Sequence, residues 1–158
     1  MNIPKNLHKI LFVCHGNICR SPMAEFVMKD LLAKAGITGV SVESAALRTD
    51  EIGNDIHYGT RGILVKYGIP FSSRAAWQLT AAKASGYDMI VGMDAYNMAD
   101  LKRLVFPEDM GKVFKMLELT GSSRDVADPW FTGNFEATYE DVLAGCMAIL
   151  ESIKKDRS

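Results

Sequence analysis

Cys14 and Arg20 stand at the two ends of one short stretch, Cys14-His15-Gly16-Asn17-Ile18-Cys19-Arg20-Ser21. A loop of that length can curl its backbone N–H groups around a tetrahedral oxyanion. A helix starting behind it adds positive potential, and an arginine adds a bidentate fork. Any phosphate held there lies against the sulfur of Cys14. The thiolate is the nucleophilic form of cysteine, and amides, helix N-terminus and guanidinium all favour negative charge at that point. The residue types therefore point to a cysteine nucleophile for phosphoryl transfer. A lone cysteine is more often a small apolar filler; here the spacing to Arg20 decides.

The neighbours suit such a loop. His8 to Val13 reads as a short strand buried on both faces. Ser21 is a natural helix cap, and Pro22 falls at an early helical position where its missing N–H costs nothing. Gly16 supplies backbone freedom, while Asn17 tolerates left-handed geometry.

Hydrolysis of a phosphate ester also needs an acid for the departing oxygen and a base for the attacking water. By residue type the strongest candidate is Asp128, held extended by Pro129 and followed by Trp130 and Phe131, which could shield it. Asp-Pro pairs also make plain turns, and the residues alone leave both readings open. The three histidines, His8, His15 and His57, are scattered without ligand spacing, so no metal and no cofactor is expected. Cys146, in an amphipathic stretch beside Met147, Ile149 and Leu150, reads as core.

The elements that must position these groups alternate along the chain. Helical spacing from Met23 to Lys34 stops at Gly36. Val40 to Ser44 reads as a second strand, and a loop from Leu47 to Ile56 leads to a helix over His57 to Tyr67, closed by Gly68. Ala75 to Ser85 is Ala-rich and reads as a short helix. A third strand covers Asp88 to Met93, a helix Ala95 to Leu104, a fourth strand Val113 to Met116, and a last helix Glu136 to Lys154. Strands spaced by helices predict an α/β fold, a parallel sheet with right-handed crossovers and helices on both faces. Ligands bind such sheets beyond the carboxyl ends of the strands, where Cys14 falls. A Walker loop is absent, because no Gly-Lys-Ser/Thr follows the strand.

With 158 residues, 48% apolar and 23% charged, the chain fits one domain over 1–158 with a proper core. A net charge of −1 without a basic stripe gives no pull toward nucleic acid. Residues 1–7 lack a hydrophobic signal core and no stretch approaches spanning length, so no membrane association is expected. Three cysteines, one needed as a free thiolate, fit a reducing cytoplasm better than a disulfide scaffold. Monomer is the default.

CHGNICRSP resembles the C-x5-R-S loop of the low-molecular-weight protein tyrosine phosphatases, including the family's Gly-Asn and second Cys. The likeness continues in the family's order through Ser44-Ala45-Ala46, Gly53-Asn54, Met93-Asp94 and Asp128-Pro129-Trp130, almost the whole chain. It implies a four-stranded flavodoxin-like sheet in the order 2-1-3-4 and hydrolysis of phosphotyrosine in proteins or peptides, with inorganic phosphate as product. Within it Cys14, Arg20 and Asp128 are catalytic, and His15, Gly16, Asn17, Ile18, Cys19 and Ser21 complete the phosphate loop. The Ser21 hydroxyl turns back to the sulfur, and Cys19 forms a reversible disulfide that protects Cys14. The pocket walls fall at Leu47, Asp50, Trp130 and Phe131.

Departures from the family pattern bear on specificity and support. Asp50 stands where animal members place an aromatic residue, and Trp130-Phe131 lacks the hydroxyls of their tandem tyrosines. A family histidine that braces the loop asparagine has no clear counterpart, with Ser73 or Arg74 nearest. Ile18 differs from the Thr of protein arginine phosphatases on the same fold and suits an aromatic ring better. A thiol-dependent arsenate reductase is a further alternative, but it needs a cysteine relay that this chain lacks between Cys19 and Cys146. The non-enzyme alternative is a phosphate-binding module, which would need neither thiol nor acid.

Overall fold

A computed structural model describes residues 3–158. Met1 and Asn2, included in the readings of residues 1–7 and of a 1–158 domain, lie outside the described residues. Four strands, β1 (Lys9–Cys14), β2 (Ser41–Ala46), β3 (Met89–Gly92) and β4 (Val113–Lys115), form one parallel sheet in the order β2-β1-β3-β4. The helices are α1 (Arg20–Lys34), α2 (Tyr58–Lys66), α3 (Ala81–Ala84), α4 (Ala95–Leu104), α5 (Pro129–Thr132) and α6 (Phe135–Arg157), with two 3₁₀ turns flanking β4.

Side chains alternate across β1 between two cores, as a strand buried on both faces requires. Ile10, Phe12 and Cys14 join Met23, Val27, Met28, Leu64, Val142 and Ile149 on the face covered by α1, α2 and α6. Leu11 and Val13 join Ala45, Leu79, Ile90, Leu101 and Val113 on the face covered by α4. β1 lies between β2 and β3, so its carboxyl end, with Cys14 opposite Ala46, opens at the switch in strand order.

Two expectations change. The Ala75 to Ser85 helix shrinks to Ala81–Ala84, because the Thr80 hydroxyl caps it by accepting from Lys83 N. The residues before it run extended along the sheet edge, where Ala46 N donates to Trp77 O and Leu79 N to Ala46 O. Ser21 is not the cap of α1: that helix begins at Arg20 behind Cys19, which frees the Ser21 hydroxyl. The four-residue α5 and the 3₁₀ turns carry no hydrophobic period long enough to read. No helix among the described residues is long and apolar enough to cross a membrane.

Candidate active site

The loop between Cys14 and Arg20 is held from outside by its carbonyls. Leu47 N donates to Cys14 O at 3.0 Å, Arg48 N to His15 O at 3.0 Å and His57 N to Ile18 O at 2.9 Å. The Thr60 hydroxyl donates to Cys19 O at 3.0 Å, and the Arg74 guanidinium to Asn17 O. A trans peptide points its N–H opposite to its C=O, so outward carbonyls turn the intervening amides toward the loop's centre. Asn17 takes the left-handed conformation the curl needs, with φ +60°. The result is an anion nest.

Behind the nest a chain of polar groups fixes one hydroxyl proton. Ser44 Oγ donates to Glu25 Oε1 at 2.6 Å, so it accepts from Asn17 Nδ2 at 2.9 Å. That contact sets the orientation of the Asn17 amide, whose other Nδ2 proton goes to Ser21 Oγ at 2.8 Å. Ser21 Oγ thus has its own proton for Cys14 Sγ, 3.0 Å away. The same orientation leaves Asn17 Oδ1 buried without a partner. Asn17 and Ser21 are fully buried and stand behind the loop.

Arg20, 2% exposed, is aimed by groups from the ends of β3 and of the loop before α5. Its Nη1 donates to Asp94 Oδ2 at 2.7 Å and to Val126 O at 2.9 Å, and its Nη2 lies 3.5 Å from Asp128 Oδ2. Asp94 is itself fixed as the N-cap of α4, its Oδ1 accepting from Asn97 N. Burial alone would favour loss of the guanidinium's proton, but the charges of an ionised Cys14, Asp94 and Asp128 outweigh it and hold the proton more firmly than usual.

Asp128 caps α5, its Oδ1 accepting from Trp130 N at 3.1 Å, while Oδ2 turns toward Arg20. Cys14, Arg20 and Asp128 border one cavity of about 230 Å³, together with His15, Gly16, Ile18, Cys19, Asp50, Glu51, Trp130 and Phe131. A group this size admits a phosphate at the loop and an aromatic ring between Ile18 and the exposed pair Trp130 and Phe131. His15 Nε2 pairs with Asp50 Oδ2 at 2.9 Å on the rim, and this hydrogen bond holds the Asp50 carboxyl below its usual range. Burial, aided by the charges of Cys14 and Asp128, pushes the Cys19 thiol up to about 12.

Of the residues anticipated as walls, Leu47 is not one: its side chain is buried in the core with Val13 and Ala45, and only its N–H serves the loop. Phe131, 83% exposed, and Trp130, 58% exposed, flank Asp128 without enclosing it. Sequence reasoning missed Glu51 on the rim and the supporting roles of Glu25, Ser44 and Asp94. Of the two residues nearest to the family's bracing histidine, Arg74 takes up the brace, its guanidinium donating to Asn17 O. Glu25 left a signal, an acid one helical turn beyond Ser21 on the buried face of α1.

Residues 9–158 match the family model for low molecular weight phosphotyrosine protein phosphatase. The low molecular weight protein-tyrosine-phosphatase YfkJ of Bacillus subtilis is 39% identical over 151 residues, covering 94% of this chain and 97% of its own. Its crystal structure superposes with a TM-score of 0.90 at 37% identity, covering 97% of this chain and 98% of that one. The low molecular weight protein tyrosine phosphatase from Streptococcus pyogenes superposes at 0.79 with 39% identity and 93% coverage of each chain. With the family model spanning most of the chain, relatives near 39% identity over nearly its whole length and the sheet order in agreement, this chain belongs to the low molecular weight phosphotyrosine protein phosphatase family.

Proposed function

We propose that this chain hydrolyses phosphotyrosine in proteins through a cysteinyl-phosphate intermediate. Cys14 Sγ attacks phosphorus in line while the loop amides and Arg20 hold the three equatorial oxygens. The bond to the phenolic oxygen breaks, and the Asp128 carboxyl delivers its proton to that oxygen. The resulting carboxylate then takes a proton from water as the water attacks phosphorus, releasing inorganic phosphate and a thiolate that Ser21 hydrogen-bonds. The observation that carries this reading is that a thiol, a guanidinium and a carboxyl from three separate elements border one cavity. The apolar walls at Ile18, Trp130 and Phe131 support an aromatic ester over an alkyl one. Three buried cysteines, all free, support a reducing cytoplasm as its place; its partners in this reading are phosphotyrosine-containing proteins or peptides, with the monomer as the working unit.

The test is a panel of phosphotyrosine, phosphoserine and phosphoarginine peptides turned over in the presence of a metal chelator. Release of phosphate from the tyrosine peptide alone is the expected result. Preference for phosphoarginine would move the chain to the arginine-specific alternative, and stoichiometric phosphate binding without turnover would make it a binding module.

A further inference from the structure

We infer that His57 is a positioning residue for the acid: its imidazole, seated on Phe135, supports Trp130 and so sets where Asp128 stands in the cavity. This rests on the assignment of Asp128 as general acid above. His57 does not border the cavity, so it touches neither substrate nor reacting atoms.

The acid loop needs such a support. α5 is only four residues long, too short to hold itself by its own hydrogen bonds. Trp130 follows Asp128 by two residues and its backbone N–H is bound to the Asp128 carboxyl, so the indole and the carboxyl move together. Trp130 is nevertheless 58% exposed, and its ring meets that of His57 edge to face at 5.6 Å and 72°.

The imidazole is fixed in turn. It stacks on Phe135 at 5.2 Å and 13°, and on Tyr58 at 4.3 Å and 29°. Phe135 opens the 23-residue α6, a rigid base. Its ring also lies so close to Gly59 that a Cβ there would meet it at 2.3 Å, a distance only glycine allows. On the other side His57 N donates to Ile18 O of the phosphate loop at 2.9 Å. One residue therefore spans the two halves of the site, its backbone on the loop that holds phosphate and its ring under the loop that carries the acid.

His57 has a second task, and the two can be separated. Its Nδ1 accepts from Gly59 N at 3.0 Å as the cap of α2. Asparagine keeps a capping side chain without a ring, whereas phenylalanine keeps a ring without a cap. The experiment measures kcat/KM, which reports departure of the leaving group, on 4-nitrophenyl phosphate, whose leaving group needs little protonation, and on phenyl phosphate, which needs the acid, together with melting temperature, for wild type, His57→Asn, His57→Phe and Asp128→Ala.

His57→Asn should melt close to wild type yet lose about tenfold more rate on phenyl phosphate than on 4-nitrophenyl phosphate, the scale of a displaced general acid. His57→Phe should melt lower and keep the wild-type ratio of the two rates. A His57→Asn ratio equal to wild type, while Asp128→Ala shifts it, overturns the role of His57 alone. A ratio unmoved by Asp128→Ala overturns the acid assignment and this inference with it.

Discussion

Ser21 Oγ stands 3.0 Å from Cys14 Sγ and 2.8 Å from Asn17 Nδ2, and the second contact fixes the direction of the first. An amide nitrogen only donates, so the hydroxyl accepts from Asn17 and gives its single proton to sulfur. That bond strengthens as negative charge returns to sulfur when the intermediate breaks down. A hydrogen bond to a charged group contributes about 1.5–3 kcal/mol, so Ser21→Ala should lower kcat by roughly ten- to a hundredfold. Because the loss falls on the second step, rapid mixing with 4-nitrophenyl phosphate should show a burst of nitrophenolate followed by a steady state slower than that of wild type. Unchanged kcat would remove Ser21 from the reaction.

Asp128 faces Arg20 at 3.5 Å, its one side-chain partner among the described residues, and its carboxyl borders the cavity. Asp128→Ala should slow phenyl phosphate by about a hundredfold or more, the usual contribution of a placed general acid, and 4-nitrophenyl phosphate much less. Steady-state rates across a series of substituted phenyl phosphates check it through a steeper dependence on leaving-group basicity. Equal losses across the series would mean that Asp128 serves only as a partner of Arg20.

How far the sequence could be read depended on the distance over which each contact acts. The Cys14 to Arg20 loop was legible because thiol, turn of amides and guanidinium are contiguous and sit between a strand and a helix. Asp94, which aims Arg20, lies 74 residues away, and Ser44 and Glu25 reach Asn17 and one another across 27 and 19 residues. No local pattern marks such partners. Residues 75–79 were misread for a related reason: their alanines favour helix, but pairing with Ala46 at the sheet edge overrides that preference. Leu47, expected as a wall from the family resemblance, serves the loop through its backbone while its side chain faces the opposite core.

Cys19 borders the same cavity as Cys14 and is buried beneath it, and burial holds its thiol protonated with a value pushed up to about 12. Burial likewise raises Cys146. At pH 7 neither presents a thiolate, so iodoacetamide label found by peptide mass mapping should sit on Cys14 and be blocked by phosphate. Peroxide should convert Cys14 to its sulfenic acid, after which the Cys19 thiol attacks that sulfur, an S–S bond forms and water leaves. Dithiothreitol should then restore activity. In Cys19→Ser the sulfenic acid has no resolving thiol and proceeds to the sulfinic acid, so less activity should return. Equal recovery in both proteins would deny Cys19 a protective role.

The rim bears on which phosphoproteins enter. Asp50 is exposed, Glu51 adjoins it, and the hydrogen bond from His15 keeps the Asp50 carboxyl below its usual range. A carboxyl depressed in this way stays charged as pH falls from neutral and is neutralised only when pH drops through its own lowered value. The rim should therefore repel acidic flanks and attract basic ones at neutral pH. Phosphotyrosine peptides with lysine or arginine beside the tyrosine should show kcat/KM about two- to fivefold above matched peptides with aspartate or glutamate, the scale of exposed charge pairs. Rising salt should shrink the gap, since screening acts fully at an open rim. The joint Asp50→Asn and Glu51→Gln variant should narrow it too. Both peptides carry the same phosphate, so its own titration cancels in the ratio. Equal kcat/KM for the two peptides at low salt would mean that the acidic rim does not select substrates.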